Sequence, residues 1–431
     1  MNSPAATTTD RTVDVVVMGQ GYVGLPLAQE AVRAGLRTVG FDVSTRVVEG
    51  LNAGRSHIDD LSDSDISDML AAGFKASDDP AVLGEAAAIV ICVPTPLSED
   101  GAPDMRFVVG AAGMAAQYAT AGTLISLEST TYPGTTEEVL QPMFEARGLK
   151  AGSDFFLAFS PERINPGDPV YGFRNTPKVV GGVTAACTER AVSFYSRIVD
   201  TVVPVSSTRS AEMAKLLENT YRHVNIALVN ELAKYSRALG VDIFEVIDAA
   251  KSKPFGFQAF FPGPGVGGHC IPIDPNYLSY SIRSTLGQPF RFVELAQEIN
   301  QSMPRHVHTR ITEVLNESRR SVRGAKVLLL GVTYKADIAD QRESPARPLA
   351  ALLLDSGADL QFHDPKVETW EVRDGTQLDG QSDLAAALEA ADIAVLLQRH
   401  HEYGDLLALT NGTPVLDTRG AFRNRPGTHS L

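Results

Sequence analysis

Cysteine is scarce in this chain of 431 residues, where it occurs only as Cys92, Cys187 and Cys270. An odd number of widely spread cysteines, with no CxxC or HExxH spacing, excludes a disulfide framework and offers no metal-binding pattern. We therefore expect a protein of the reducing cytoplasm that holds no metal.

Long hydrophobic runs are also missing, since none approaches the ~18 residues that a membrane span needs. The polar start, Met1 to Asp10, has no basic region followed by an apolar core. This excludes a secretory signal and predicts a flexible tail over residues 1–11.

Basic residues are outnumbered, 38 against 52 acidic ones, which leaves a formal charge of −14. This sign disfavours binding to nucleic acid or to an anionic membrane surface. A small anionic ligand stays compatible with it, because backbone dipoles and a few cations can override the overall field.

Short apolar runs alternate with helix-length segments in two parts of the chain, beginning with VDVVVMG at Val13 and AKVLLLGVTY at Ala325. Such runs favour parallel sheets covered on both faces. The stretch between them is rich in helix formers, and Ser210 to Gly240 predicts one long helix. The fold class is therefore α/β, with two doubly wound Rossmann-like domains (residues 12–207 and 305–431) joined by a central helical domain (208–304).

A glycine motif follows the first strand and indicates a dinucleotide site. Gly19, Gly21 and Gly24 form GQGYVG, whose glycines permit a tight turn, close approach of a pyrophosphate and close helix packing. Asp42 ends the second strand, where a carboxylate accepts hydrogen bonds from an adenosine ribose and favours NAD over NADP. Arg46 lies nearby and can pair with Asp42 or with a phosphate.

The densest signal is PGPGVGGHCIPIDP, from Pro262 to Pro275. Cys270 lies in this glycine-lined loop, just before a helix start at Asp274, where a thiolate is favoured. Cys92 and Cys187 fall in apolar strand and helix segments and are interpreted as inert core residues.

Other polar residues also suggest chemistry. Lys215 and Asn219 are four residues apart on the long helix and so share a face. Glu162 follows a strand end, a position suited to proton transfer.

With these residues laid out, the chain resembles the nucleotide-sugar 6-dehydrogenases over nearly its whole length. The resemblance is carried, in order, by GQGYVGLP, VPTP, STTYPGT, FSPER, AEMAKLLENT, GPGVGGHCIPIDP and GVTYKADIADQRESP. It implies an NAD-dependent, two-step oxidation of the C6 alcohol of a UDP-sugar to a carboxylate, through a covalent thioester. It also implies that the C-terminal domain binds the UDP-sugar.

The resemblance assigns catalytic roles residue by residue. Cys270 would be the nucleophile that forms the thiohemiacetal and then the thioester, and Lys215 with Asn219 would stabilise the oxyanion. Asp274 would assist the water that releases the product. Glu162 and Thr130 would hold a water or transfer a proton.

The same resemblance assigns binding residues. The cofactor would contact Gly19, Gly21, Tyr22, Val23, Gly24, Asp42, Arg46, Thr95, Thr130 and Arg342. The substrate would contact Glu162, Arg163, Lys215, Asn219, Phe260, Gly267 and Lys335. The aromatics of KPFGFQAFFPG, which contains Phe260, fit either a sugar and uridine loop or the core.

Within the family, the motifs look most like the UDP-N-acetylglucosamine 6-dehydrogenase branch, although Asn165 and Pro166 depart from its pattern after SPER. UDP-glucose and UDP-N-acetylmannosamine are the alternative substrates. Rivals from other classes are a two-electron hydroxyacid dehydrogenase and a non-catalytic NAD-binding protein. The resemblance implies a homodimer or higher homo-oligomer, and an N-acetylated uronate product would suit polysaccharide biosynthesis.

Overall fold

The computed structural model describes residues 11–98, 101–164, 170–268, 271–373 and 375–431. Predictions about tail residues 1–10, about Asn165 and Pro166, and about Cys270 lie outside these ranges. The chain forms two compact units: residues up to Glu218 with Asn276–Thr285, and Asn219–Pro275 with Leu286–Leu431. Each unit is described by itself, and the three-domain boundaries stay a prediction.

The first unit is built on an eight-stranded sheet in the order β3-β2-β1-β4-β5-β6-β7-β8. Neighbouring strands are parallel except β6 and β7, which are antiparallel. The strands are β1 (Val13–Met18), β2 (Thr38–Phe41), β3 (Lys75–Ser77), β4 (Ala86–Ile91), β5 (Leu124–Leu127), β6 (Phe156–Phe159), β7 (Lys178–Gly182) and β8 (Val202–Pro204).

Both faces of this sheet are buried. Along β1, Val15 and Val17 join one apolar cluster, whereas Val16 and Met18 join another. Because successive strand side chains point to opposite faces, two clusters mean two covered faces, which confirms the doubly wound prediction. The covering helices are α1 (Gly24–Arg33), α2 (Thr45–Asn52), α3 (Asp63–Ala71), α4 (Arg106–Tyr118), α5 (Gln141–Glu145) and α6 (Ala185–Tyr195).

The predicted long helix is α7 (Thr208–Ser236). It begins before Ser210 and ends before Gly240, the predicted limits. The backbone N–H of Ser210 donates to Ser207 Oγ at 3.2 Å, so Ser207 caps the helix. The other helices of the central region are α8 (Ile243–Lys251), α9 (Asp274–Leu286) and α10 (Arg291–Glu317). No helix in the described ranges is long and apolar enough to cross a membrane.

The second unit contains a five-stranded parallel sheet in the order β10-β9-β13-β14-β15 and an antiparallel hairpin, β11-β12. The strands are β9 (Lys326–Leu330), β10 (Asp359–His363), β11 (Thr369–Arg373), β12 (Thr376–Asp379), β13 (Ile393–Leu396), β14 (Val415–Asp417) and β15 (Thr428–Ser430). Helices α11 (Ala346–Asp355) and α12 (Leu384–Ala390) complete it. The largest apolar cluster joins this sheet to α10 and the C-terminal part of α7, and its bulkiest member is Trp370 of the hairpin.

Candidate active site

The glycine motif forms the turn between β1 and α1 in the first unit. A Cβ at Gly19 would lie 2.6 Å from the carbonyl oxygen of Cys92, and one at Gly24 would lie 1.8 Å from that of Gly19. Both positions therefore exclude a side chain. A Cβ at Gly21 would meet nothing within 4 Å among the described residues. The middle glycine thus faces open space, which fits the approach of a pyrophosphate to the backbone.

Asp42 is oriented by two backbone groups at the end of β2. Its Oδ2 accepts from Gln20 N–H and its Oδ1 from Ser44 N–H, both at 2.9 Å. Each carboxylate oxygen keeps a further lone pair for a ribose hydroxyl. Arg46 is exposed on α2, and Tyr22 and Val23 are half-buried in the turn itself.

The loops after β4 and β5 carry the two predicted cofactor threonines. Thr95 is half-buried, and the neighbouring Pro96 carbonyl accepts a 3.2 Å hydrogen bond from the hydroxyl of Tyr277. Thr130 is buried. Ser129 fixes the start of its loop by donating to the Val93 carbonyl at 2.7 Å.

Glu162 has one carboxylate oxygen available for chemistry. Its Oε1 accepts from the backbone N–H of Ile164, whereas the buried Oε2 has no hydrogen-bond partner among the residues that the structure describes. An acceptor of this kind suits a bound water or a proton in transit. The Arg163 guanidinium, in contrast, already has protein partners. Its Nη2 pairs with Glu218 at 2.7 Å, and its Nη1 donates to the Pro177 carbonyl at 2.7 Å.

Behind these loops lies a buried ion pair that sequence reasoning missed. Lys178 Nζ lies 2.8 Å from Glu128 Oε2, and Tyr195 donates to Glu128 Oε1 at 2.6 Å. Burial raises the pKa of Glu128, although the Lys178 ammonium opposes that shift. Glu128 immediately precedes the Ser129–Thr130 pair, so the ion pair supports the base of the loop that carries Thr130.

Lys215 lies on the part of the long helix that belongs to the first unit and is buried, with an exposed fraction of 7%. A buried lysine on this 29-residue helix is unusual unless its ammonium serves a purpose. Three residues before it on the same helix lies Glu212, which is fully buried and which sequence reasoning overlooked. The helical i,i+3 spacing of two charged residues in AEMAKLLENT was the available signal.

In the second unit, Asn219 and Asp274 come together. The Asn219 side-chain amide donates to Asp274 Oδ2 at 2.7 Å, and Asp274 is buried at the first residue of α9. The sequence predicted both the helix start and the functional importance of the two residues. It gave no sign of their contact, because they are 55 positions apart.

The glycine-rich loop before α9 is packed too tightly for side chains. A Cβ at Gly267 would lie 2.7 Å from the Glu343 carbonyl oxygen, and Gly268 has φ +86° with its Cβ position 2.8 Å from the Tyr334 ring. The backbone N–H of Gly268 donates to the Arg342 carbonyl at 3.2 Å. The segment that precedes Cys270 is thereby held against the loop after β9.

That loop contains Lys335 and Arg342. Lys335 is half-buried, and its carbonyl accepts from Thr333 Oγ1 at 2.8 Å. The Arg342 guanidinium pairs with Asp340 at 2.6 Å and is 44% exposed. The Arg342 carbonyl accepts from the Gly268 N–H, which connects Arg342 to the glycine-rich loop within this unit.

In the second unit, as in the first, an aspartate follows the strand next to the first strand of the sheet, but here its carboxylate is covered by another side chain. Asp364 at the end of β10 accepts from Val332 N–H at 2.7 Å, as Asp42 does from Gln20. His400 Nε2 also lies 3.2 Å from Asp364 Oδ2, and both residues are buried. The histidine covers this carboxylate, so Asp364 is a structural counterpart of Asp42 rather than a second ribose acceptor.

His400 also belongs to a group of metal-ligating residue types with Asp337 and Glu402, whose ligand atoms lie within 4.8 Å of one another. Its Nδ1 already accepts from Asp337 N–H at 3.0 Å, and its Nε2 faces Asp364. Both ring nitrogens have protein partners, so this group gives no argument for a metal site.

The aromatic loop divides between core and surface. Phe260 is half-buried against the large apolar cluster and meets the Tyr221 ring edge-on at 5.7 Å. Phe255 and Phe257 are exposed, at 69% and 43%. The exposed pair leaves aromatic surface available for a ligand, whereas Phe260 contributes packing.

Comparison with known proteins gives matches over three consecutive segments. Residues 13–199, 209–302 and 328–424 match the NAD binding domain, the central domain and the UDP binding domain of the UDP-glucose/GDP-mannose dehydrogenase family. The UDP-N-acetyl-D-mannosamine dehydrogenase of Salmonella typhimurium is 33% identical, over 95% of this chain and 99% of that protein.

Solved structures agree with the sequence matches. The UDP-D-ManNAc dehydrogenase of Pyrococcus horikoshii superposes with a TM-score of 0.88 at 30% identity, covering 97% of this chain and 99% of that one. A UDP-glucose dehydrogenase from Pyrobaculum islandicum gives 0.84 at 27% identity, covering 97% and 96%. Backbone similarity is therefore comparable for relatives named for different sugars.

Proposed function

Because the chain belongs to the UDP-glucose/GDP-mannose dehydrogenase family of NAD-dependent UDP-sugar dehydrogenases, we propose that it oxidises the C6 alcohol of a UDP-N-acetylhexosamine to the carboxylate. The reaction consumes two NAD+ and one water for each sugar. The observation that carries the proposal is the 2.7 Å contact of Asn219 with the buried carboxylate of Asp274, four residues after Cys270 in the chain.

The residues of the first unit fit the cofactor. The open face of Gly21 and the oriented carboxylate of Asp42 would hold the pyrophosphate and the adenosine ribose. When bound, NAD+ supplies the hydride acceptor for both oxidation steps. Glu162, whose buried Oε2 has no hydrogen-bond partner in the described part of the chain, would accept the proton of the C6 hydroxyl directly or through a water.

Cys270 supplies the covalent chemistry. Its thiolate attacks the aldehyde carbon, an S–C bond forms, and the carbonyl electron pair becomes an alkoxide. The ammonium of Lys215 and the amide of Asn219 stabilise that oxygen. Loss of hydride from that carbon, for which the second NAD+ would be the acceptor, would convert the alkoxide to the thioester. Asp274 would then take a proton from the water that attacks the thioester carbonyl, the C–S bond would break, and the thiolate would return as the carboxylate leaves.

The preferred sugar is UDP-N-acetyl-D-mannosamine, because the relatives at about one-third identity bear that name. UDP-N-acetylglucosamine, which the motifs favoured, differs only in the configuration at C2 and is the second candidate. UDP-glucose, which lacks the acetamido group, is the third.

An NADH-production screen over these three sugars, UDP-N-acetylgalactosamine and GDP-mannose tests the substrate. We expect kcat/KM for an N-acetylhexosamine to exceed that for UDP-glucose by at least about fivefold, since an unpaired polar contact costs about 1–3 kcal/mol. Preference for UDP-glucose or GDP-mannose would overturn the assignment.

The covalent step is tested by Cys270→Ser, which should form no acid yet still bind NAD+. The control variant Cys187→Ser should still form acid.

We also propose a homodimer or higher homo-oligomer. Within the second unit, α7 presents an exposed apolar face of Tyr221, Leu228, Leu232 and Tyr235, with exposed fractions of 45–57%. Their spacing of seven, four and three residues keeps them on one side of the helix. Light scattering should give at least twice the 46.1 kDa chain mass, and Leu228→Glu/Leu232→Glu should lower it. A monomeric wild type would contradict this proposal.

A further inference from the structure

The start of α7 is clamped to the turn that follows the Thr130 loop, entirely within the first unit. Glu212 is fully buried. Its Oε2 accepts from Gly134 N–H at 2.6 Å, and its Oε1 accepts from both the N–H and the Oγ1–H of Thr136, at 2.9 and 2.7 Å. One carboxylate thus satisfies three donors on a single turn.

Burying a carboxylate at this position costs free energy, because the group loses its hydration. Its donors are two amides and a hydroxyl rather than a cation, and burial raises the pKa of Glu212 to about 7 although those donors act to lower it. Apolar packing would dock a helix on a turn at lower cost, whereas a carboxylate fixes direction and distance through two oxygens. The contact of Glu212 with the turn therefore fixes the relative position of helix and turn more than it stabilises the fold.

The two segments that Glu212 joins carry residues of the proposed site. Thr130 lies four residues before Gly134, and Lys215 lies three residues after Glu212, about one helical turn along α7. Gly134 has φ +103°, so the turn conformation itself depends on glycine.

We propose that Glu212 is a positioning residue for the dehydrogenase reaction, which sets the Thr130 loop in register with the Lys215 ammonium. The inference rests on the roles proposed above for Lys215 and Thr130. Loss of the clamp lets Thr130 and Lys215, which the proposed mechanism places around the same reacting group, drift apart. A misplacement of ~1 Å costs on the order of 10²-fold in rate, whereas binding contacts elsewhere on the substrate are unaffected.

The principal test is Glu212→Gln. Glutamine keeps the shape of the glutamate side chain, but its single oxygen cannot accept from both Gly134 and Thr136. We expect kcat to fall at least about tenfold while KM for NAD+ and for the UDP-sugar stays within about threefold. Thr136→Val removes only the hydroxyl contact and should lower kcat by about two- to fivefold. In the double variant, Thr136→Val should add little, because Glu212→Gln has already broken the clamp on one side.

Arg209→Ala is the matched control. Arg209 lies on the same turn of α7 and pairs with Glu137 and Glu138 of the same facing segment, at 2.8 and 2.6 Å, but is 46% exposed. Its loss should leave kcat within about twofold, because exposed pairs contribute little. Wild-type kcat in a folded Glu212→Gln enzyme, or an equal loss of kcat in Arg209→Ala, would overturn the inference. If Glu212→Gln does not fold, unchanged kcat in Thr136→Val overturns it.

Lys215→Ala and Cys270→Ser, assayed in parallel, separate this inference from the proposed function. If both are inactive and Glu212→Gln is fully active, only the positioning role fails. If both retain full four-electron turnover, the catalytic assignment itself fails.

Discussion

The side-chain amide of Asn219 holds the carboxylate of Asp274 at 2.7 Å, which links the long helix α7 to the first residue of α9. Asp274 is 2% exposed, so its carboxylate oxygens depend on protein donors such as this amide for their hydrogen bonds. On the proposed mechanism this contact orients the base for thioester hydrolysis.

Asp274→Asn removes that base and should slow only the release of product. We predict a burst of NADH followed by steady-state turnover at least about 10²-fold below wild type, since general bases contribute 10²- to 10⁴-fold. Stopped-flow absorbance measures the burst, and intact mass spectrometry should detect the acylated protein. Asn225→Ala, which changes a half-buried amide on α7 six residues after Asn219, is the control. Wild-type turnover with no burst would contradict the role of Asp274.

Gly267→Ala tests the packing of the glycine-rich loop. Its new methyl group would meet the Glu343 carbonyl oxygen at 2.7 Å, so the backbone before Cys270 must move. We expect kcat to fall by about 10²-fold because the nucleophile is displaced. Gly110→Ala is the control, since a Cβ at that exposed helical position meets nothing within 4 Å among the described residues. Equal activity of the two variants would show that the tight packing is unimportant for catalysis.

Lys178→Met should destabilise the first unit by about 3–5 kcal/mol, because it leaves the buried Glu128 charge without its partner. The double variant Glu128→Gln/Lys178→Met removes both charges and should recover most of that loss. Chemical denaturation of the three proteins measures the difference. A double variant as unstable as Lys178→Met alone would mean that packing, rather than the unpaired charge, is responsible.

The pKa of Glu212 predicts a pH-dependent contribution to stability. Its folded value of about 7 lies above the 4.5 of an exposed glutamate, so between these two pH values the folded state binds the proton more tightly. Stability from this group is complete below pH 4.5 and is lost as the pH rises through 7, by about 3 kcal/mol at most. Glu137 and Tyr132 are the other titratable groups coupled to it.

Glu212→Gln cannot titrate and serves as the reference. The thermal midpoint of wild type, minus that of the variant, should decrease between pH 5 and pH 8. A difference that stays constant over this range would show that Glu212 ionises as it does in the unfolded chain.

The sequence was most informative where function depends on local geometry. The GQGYVG turn, the acid at the end of β2 and the start of α9 at Asp274 follow from short-range rules of backbone conformation and capping. The sequence gives no clear strand signal at β7, because KVVGG is short and glycine-rich. It gives none at the β11-β12 hairpin either, because the residues around Trp370 are mostly polar.

Contacts between distant residues were beyond the reach of sequence reasoning. Lys178 meets Glu128 across 50 positions, and Glu212 meets Thr136 across 76. Burial of a charged residue depends on which elements pack around it, and hydrophobic periodicity does not encode that. Hence Lys215 was recognised by its motif, whereas Glu212 in the same motif was overlooked.

The most direct test of the central claim is the amount of NADH formed when a known amount of UDP-N-acetylhexosamine is consumed to completion. A four-electron dehydrogenase that works through a thioester forms two NADH per sugar, together with the uronate as the final product. One NADH per sugar, with the aldehyde or ketone as the product, would contradict it and would point to a two-electron dehydrogenase.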